Sequence, residues 1–118
     1  MTAPSLDGTL TALADPTRRG VIDLLRHKPR RAGELAEALE MSAPAMSRHL
    51  RVLRRSGLVE EERPSGDEAD ARVRVYALRK EPFRALRRWL DEVESYWSLE
   101  LASFKEHAER TRGTKKPR

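Results

Sequence analysis

The chain has 118 residues, 38% of them hydrophobic and 36% charged, which suits one small domain with a modest core and a highly charged surface. It contains no cysteine, which excludes disulfides, thiolate nucleophiles and cysteine-ligated metal centres. No apolar run approaches the roughly 20 residues that span a bilayer, and residues 1–8 lack the features of a signal peptide, so we expect a cytoplasmic protein without a membrane partner.

The net charge of +5 is unevenly distributed. Residues 26–55 hold eight Lys and Arg against three Glu, and residues 110–118 hold five cations and no acid. The remaining residues therefore carry a net negative charge. Clustered cations of this kind indicate an acidic partner such as nucleic acid.

Three short helices are predicted in the first third of the chain. The first is marked by hydrophobic residues at intervals of four and three: Leu6, Leu10 and Leu13. Asp15 and Pro16 have the N-cap and first-turn chemistry that begins a second helix, which we expect to end by Lys28, before Pro29. A third helix of about two turns is expected around residues 35–39.

The fourth predicted helix has clear signals at both ends. Ser42 is a suitable N-cap, and Gly57 is a suitable stop. At 100° per residue, three hydrophobic side chains form one stripe that should be buried: Met46, Leu50 and Leu53.

The period then changes from helical to alternating. A strand is expected to begin at residues 58–59, and a second over residues 72–77, with Val73, Val75 and Ala77 on one side. The turn-forming residues 64–67 between them predict a β-hairpin.

A long helix is expected from Pro82 to about Arg110. Its apolar stripe consists of Phe83, Leu86, Leu90, Val93 and Trp97, followed after a shift by Leu101, Phe104 and Ala108. We therefore expect one domain over residues 1–110 and a disordered basic tail over residues 111–118.

Short helices, a hairpin and one long helix are the order of a winged helix-turn-helix, a mainly α (α+β) fold with a two-stranded wing. The side of the fourth helix opposite its buried stripe carries Pro44, Arg48, Arg51 and Arg55, with Ser47 on one flank. Arg48, near the start of the helix, could form a bidentate contact with guanine, whereas Arg51, Arg54 and Arg55 are better placed for the DNA backbone. Solvation of an exposed helix face is the alternative explanation for these arginines.

Several stretches resemble the ArsR family of bacterial winged-helix transcriptional regulators: ALADPTRRGVIDLL, GELAEAL, SAPAMSRHLRVLRRSGLVEEER and RVRVYAL. The resemblance runs from about Leu10 to Trp97. It implies a homodimer joined through the first and last helices. The recognition helix of each protomer, the fourth helix, would then bind one of two successive major grooves of a pseudo-palindromic operator. The implied DNA-facing residues are Ser42, Ala43, Ala45, Ser47, Arg48 and His49. The expected dimer contacts are Leu6, Leu10, Leu86, Trp89, Leu90, Val93, Trp97 and Leu101.

The metal sites for which this family is known are not matched. Residues 36–38 read Ala-Glu-Ala where a thiolate site would lie. The other site type has Asp-x-His, ten residues, then His-x-x-Glu, and the best match here is Glu94-x-Tyr96 followed by His107-x-x-Arg110. An arginine in a metal shell is repulsive, so we expect no metal and no cofactor, and the effector is unknown.

The predicted wing is acidic. Its acids are Glu60, Glu61, Glu62, Asp67, Glu68 and Asp70, and only Arg63, Arg72 and Arg74 offset them. These three arginines are the candidate DNA contacts of the wing, but we expect its tip to be solvated and to avoid DNA rather than to act as an acidic decoy that regulates binding. His49 fits a hydrogen bond between helices as well as a base contact. His27 fits an interaction with a helix dipole, His107 fits a surface role, and Trp89 and Tyr96 fit subunit packing better than an effector pocket.

The sequence thus predicts a homodimeric DNA-binding regulator, which we expect to repress by covering a promoter. A winged-helix module that binds protein rather than DNA is the alternative, and the arginine-lined outer face disfavours it. No catalytic grouping or glycine-rich phosphate loop is present, so no enzymatic activity is expected.

Overall fold

The computed structural model describes residues 5–62 and 74–114, with side chains through Thr111. The elements in these ranges are α1 (Leu6–Leu13), α2 (Pro16–Leu25), β1 (Arg30–Arg31), α3 (Ala32–Ala38), α4 (Ala43–Arg55), β2 (Val59–Glu62), β3 (Val75–Leu78) and α5 (Lys80–Thr114). The predicted winged helix-turn-helix order is confirmed. Within the described ranges, no helix has the length and apolar character needed to cross a membrane.

The chain divides into two compact units, with the boundary between Ala85 and Leu86. The first unit contains every element from α1 to β3 and the first turns of α5. The second unit contains the rest of α5.

The junction between α1 and α2 is fixed by side chains of α2. Nε of Arg18 donates to the carbonyl oxygen of Ala12 at 2.7 Å, and Nη1 of Arg19 donates to that of Leu13 at 2.7 Å. The last carbonyls of a helix have no partner within it, so these two arginines satisfy the end of α1. The predicted cap at Asp15 is confirmed, because its Oδ2 accepts the backbone N–H of Arg18 at 2.9 Å.

The turn between α3 and α4 places a non-glycine residue in the left-handed region. Glu40 has φ of 52°, and its N–H donates to the carbonyl of Glu37. The N–H of Met41 donates to the carbonyl of Ala36 at 2.8 Å. These two bonds form a Schellman motif, in which the left-handed position usually belongs to glycine.

The α4 helix has the caps that the sequence predicts. Oγ of Ser42 accepts the N–H of Ala45 at 3.3 Å at its start. At its end Gly57 has φ of 77°, and the N–H of Leu58 donates to the carbonyl of Leu53 at 3.0 Å. The two helices of the helix-turn-helix therefore end in the same motif, one with glutamate and the other with glycine at the left-handed position.

The core lies between the helices and the sheet of the first unit. It consists of Ala12, Val21, Leu25, Leu35, Ala36, Met46, Leu50, Leu53, Leu58, Val59 and Tyr76. The predicted buried stripe of α4 is confirmed in full. In α1, by contrast, the buried residues are Thr9 and Ala12, while Leu10 remains 41% exposed.

The sheet has three antiparallel strands in the order β1-β3-β2, one more than the predicted hairpin. Arg30 pairs with Tyr76 and Glu61 pairs with Tyr76 on the other side. Tyr76 and Ala77 are the buried residues of β3, whereas Val75 is half-buried. Val75 and Ala77 share one side of β3, as predicted from alternation, but it is Tyr76 on the other side that belongs to the core cluster. Val73 and the predicted turn at residues 64–67 lie outside the described residues.

The α2 helix ends at Leu25, within the predicted limit of Lys28, and Nε of Arg30 donates to the carbonyl oxygen of Leu24 at 3.2 Å. The bounds of α5 differ from the prediction. The α5 helix begins at Lys80 and continues to Thr114, beyond the expected end near residue 110. The rest of the expected disordered tail, residues 115–118, lies outside the described residues.

The Glu40 backbone generates a prediction about stability. We expect Glu40→Gly to raise the free energy of unfolding by about 0.5–1 kcal/mol, since glycine removes most of the left-handed penalty but loses more entropy on folding. Gly57→Glu should lower the free energy of unfolding by about 1 kcal/mol, because it places a side chain at a left-handed position. Urea denaturation measures both changes. Glu40→Gln is the control for the lost charge, and an equal gain in Glu40→Gln and Glu40→Gly would contradict the backbone explanation.

Candidate nucleic-acid interface

The outer side of α4 is open to solvent along its whole length. Its exposed residues are Ser42, Ala43, Pro44, Ser47, Arg48, Arg51, Arg54 and Arg55. Ala45 is half-buried. The hydroxyl of Ser42 is occupied as the helix cap. Pro44 has no backbone N–H and that of Ala45 donates to Ser42, so the N–H groups of Ser42 and Ala43 carry the partial positive charge by which this end of α4 favours an anion.

Three arginines on this side are free of acidic partners. In residues 5–62 and 74–114, no ion pair links Arg48, Arg51 or Arg55 to a carboxylate. Their guanidinium groups therefore keep their donors available for phosphate oxygens or base edges. Because Met46, Leu50 and Leu53 hold the opposite side of α4 in the core, these arginines face away from the protein.

Arg54 differs from the other arginines of α4. Its Nη1 lies 3.1 Å from Oε2 of Glu61 in β2, and Nε of Arg74 lies 3.0 Å from Oε1 of the same carboxylate. Glu61 thus joins the last turn of α4 to the residue that precedes β3. The side chains of Arg54 and Arg74 nevertheless remain 49% and 60% exposed, while that of Glu61 is 18% exposed.

His49 faces α2, not the outer side of α4. Its Nδ1 lies 3.5 Å from Nη1 of Arg18 and 3.9 Å from Oδ2 of Asp15. The backbone N–H of Arg18 that donates to Asp15, together with the positive charge of Arg18 nearby, holds the pKa of that carboxyl below its ordinary value, so Asp15 is ionised at neutral pH. Of the two roles considered for His49, these contacts support helix packing.

The wing is described only in part. Arg63, Arg72 and the acids Asp67, Glu68 and Asp70 lie outside the described residues. In the described strands, Glu60 lies 4.0 Å from Nε of Arg79, and Glu62 is exposed.

The α5 helix exposes a long series of large hydrophobic side chains. Their exposed fractions range from 40% to 75%, and they are Trp89, Leu90, Val93, Tyr96, Trp97, Leu99, Leu101 and Phe104. Leu86 and, in α1, Leu6 are half-buried. Exposed apolar surface of this extent marks an interaction site.

No group of three His, Asp or Glu side chains in the described ranges could hold a metal ion. Four residues occupy the positions of the spaced metal-ligand pattern, and all of them are exposed on α5: Glu94, Tyr96, His107 and Arg110. The expectation of no metal stays a prediction.

Two residues that organise this interface were not predicted. The structural role of Arg18 depends on carbonyls of a different helix, which no local pattern reveals. Glu61 could have been found, because alternation within β2 places it on the same side as the buried Val59, facing α4. An acid on that side indicates a cationic partner.

Comparison with known proteins identifies similar sequences. Residues 15–61 match the profile described as "Bacterial regulatory protein, arsR family". The HTH-type transcriptional regulator Rv2034 of Mycobacterium tuberculosis is 41% identical over 100 residues, which cover 85% of this chain and 85% of that protein. The transcriptional repressor SdpR of Bacillus subtilis is 34% identical over 58 residues, 49% of this chain and 64% of that protein.

Solved structures agree with the sequence comparisons. An ArsR-like transcriptional regulator from Rhodococcus sp. RHA1 superposes with a TM-score of 0.73 at 30% identity, covering 89% of this chain and 91% of that chain. A homodimeric winged helix-turn-helix DNA-binding domain from Mycobacterium bovis, described as a possible ArsR-family transcriptional regulator, superposes with a TM-score of 0.54 at 25% identity. It covers 81% of this chain and 83% of that chain.

Proposed function

The chain belongs to the ArsR family of bacterial regulatory proteins, and we propose that it is a homodimeric transcriptional regulator that binds double-stranded DNA through α4. The observation that carries this proposal is the outer side of α4, where Arg48, Arg51 and Arg55 are exposed and free of acidic partners in the described ranges. A helix of this kind fits the major groove of B-DNA, which is about 12 Å wide.

We assign the contacts according to position along α4. Arg48 lies near the start of the helix and contacts a guanine edge, while Ser47 on its flank contacts a base or a phosphate. Arg51 and Arg55 lie further along and contact the backbone. The start of α4 lies close to the DNA at Ser42, Ala43 and Ala45. There the N–H groups of Ser42 and Ala43 face a phosphate, since that of Ala45 donates to the Ser42 cap.

Dimerisation is assigned to the exposed apolar side chains of α5. At 1.5 Å per residue this 35-residue helix is roughly 50 Å long, and its large apolar side chains from Trp89 to Phe104 are 40–75% exposed. A second copy is the commonest partner for such a surface, because a twofold axis buries the same residues on both chains. The residues that we propose for the dimer interface are Leu6 and Leu10 of α1 and Leu86, Trp89, Leu90, Val93, Trp97 and Leu101 of α5.

We further propose that the dimer represses transcription from a pseudo-palindromic operator by covering a promoter. The curated relative SdpR is named a repressor, which supports this direction of regulation. The protein would act in the cytoplasm, where the DNA lies, by binding and not by catalysis. The alternative of a module that binds only protein is not favoured, because the relatives are named transcriptional regulators.

Arg48→Ala should weaken binding to the operator by about 1–3 kcal/mol and binding to a scrambled duplex much less, because it removes a base contact. The operator is first selected from a random duplex pool, and titrations with both duplexes then measure the change. Arg55→Ala is the matched control: it should weaken binding to both duplexes equally and lower the salt slope by about 1 for each protomer. Equal losses on both duplexes in Arg48→Ala would reassign Arg48 to phosphate contact.

Trp97→Glu should convert the dimer to a monomer or an aggregating chain, since it places a charge in the proposed apolar interface. Binding to a full palindromic site should then collapse, because one half-site supplies too few contacts. Sedimentation combined with light scattering measures the assembly. Ser95→Glu is the control on the other side of the helix and should stay dimeric. A wild-type monomer at micromolar concentration that binds its operator tightly would refute the dimer.

Zinc, nickel and cobalt ions at micromolar concentration should not release the operator. The reason is the absence of cysteine and the presence of Tyr96 and Arg110 at two positions of the only spaced ligand pattern. Operator titrations with and without each metal, on protein first treated with chelator, provide the measurement. Stoichiometric metal binding that changes operator affinity would show a site built from other residues.

A further inference from the structure

We propose that Glu61 is a specificity-determining residue that holds Arg54 and Arg74 in the free protein and so withholds two cations from sequence-independent contact with DNA phosphates. This inference rests on the proposed DNA-binding function. It concerns the one carboxylate in the described ranges that lies within 3.1 Å of two guanidinium groups.

The position of Glu61 follows from the geometry of the sheet. It lies two residues after the buried Val59, so alternation places both side chains on the side of β2 that faces α4. Glu61 pairs with Tyr76 in the register of the sheet. Arg74 lies two residues before Tyr76 and is therefore a diagonal neighbour of Glu61 across the strands.

The carboxylate uses a different oxygen for each arginine. Oε2 faces Arg54 at 3.1 Å, and Oε1 faces Arg74 at 3.0 Å. Because Glu61 is only 18% exposed, salt in the solvent screens these pairs less than it screens fully exposed charges. The carboxylate thereby neutralises half of the positive charge that the two arginines carry.

The two arginines are nevertheless within reach of a partner in solution. Each uses one nitrogen for Glu61 and is about half exposed or more. To contact a phosphate, either arginine must leave Glu61 or bring the phosphate close to it. The first loses an ion pair and the second places two negative charges side by side, so each route has an energetic cost. A complex that gains base contacts can compensate for this cost, whereas a complex held only by phosphates cannot. Glu61 therefore lowers non-specific affinity more than specific affinity.

The neighbouring acids provide an internal comparison. Glu60 and Glu62 lie on the opposite side of β2 from Glu61 by alternation, and both are exposed. Among the described residues no ion pair joins Glu62 to a cation, and Glu60 lies 4.0 Å from Arg79. Glu62→Gln thus removes the same charge from the same strand without releasing Arg54 or Arg74.

The test measures binding of the full chain to a random-sequence duplex of about 30 base pairs, roughly three helical turns. Titrations between about 50 and 200 mM salt give the affinity and the slope of its logarithm against the logarithm of salt concentration. We expect Glu61→Gln to raise the affinity about tenfold and to steepen the slope by about 1 to 2 for each protomer, because up to two phosphates gain a contact. Glu62→Gln should change the affinity no more than about threefold and leave the slope nearly unchanged.

A second set of variants tests the route of the effect. In a chain that carries Arg54→Gln and Arg74→Gln, adding Glu61→Gln should change the affinity no more than Glu62→Gln does, since no arginine remains to be released. Circular dichroism and urea denaturation confirm that each variant is folded. Folding is expected, because both arginines are about half exposed or more and pairs of this kind contribute little to stability.

The outcomes separate this inference from the function on which it rests. Wild-type protein that binds no duplex even at the lowest salt would overturn the proposed function and the inference together. Wild-type binding with equal effects of Glu61→Gln and Glu62→Gln would overturn the inference alone. Weaker binding by Glu61→Gln would also overturn it, because Glu61 would then orient the arginines toward phosphate.

Discussion

The guanidinium group of Arg18 is the point at which three helices of the first unit are joined. It donates to the carbonyl oxygens of Ala12 and Thr11 at the end of α1, at 2.7 and 3.3 Å, and it lies 3.5 Å from Nδ1 of His49 in α4. Its own backbone N–H completes the Asp15 cap that begins α2. Arginine is suited to this position because its donors project in a fixed, planar fork. Arg18 therefore links the end of α1 and the start of α2 to α4, whose buried stripe packs in the core.

Much of the fold could be predicted because its signals are local. The caps of α2 and α4 and the apolar stripe of α4 each depend on residues within one or two turns, and these predictions agree with the structure. The failures involve distant partners. The β1 strand has only two residues, and it exists because it pairs with β3, more than 40 residues later. Tyr76 is buried because its side chain packs in the core with residues of the helices, which alternation within β3 does not reveal.

The candidate site shows the same division between local and distant information. The outward direction of Arg48, Arg51 and Arg55 follows from helix geometry alone, once the buried stripe is known. The roles of His49 and Arg54 do not, since both lie on the flanks of α4 and their contacts come from other elements. His49 meets α2, and Arg54 meets Glu61 of β2. A flank residue of a helix can be assigned only when the neighbouring element on that side is known.

Together these flank contacts prepare α4 for the function we propose. His49 and Arg54 are separated by roughly 140° around the helix across its buried stripe, so each holds one edge of the side that faces the protein. The remaining arc of roughly 220° contains the three arginines that have no acidic partner in the described ranges. Because the helix is held at both edges, its orientation is set before DNA arrives, and less conformational freedom is lost on binding. The arginines that face outward, Arg48, Arg51 and Arg55, have no acidic partner in the described ranges. Arg54, which lies next to β2, is the arginine of α4 that Glu61 holds.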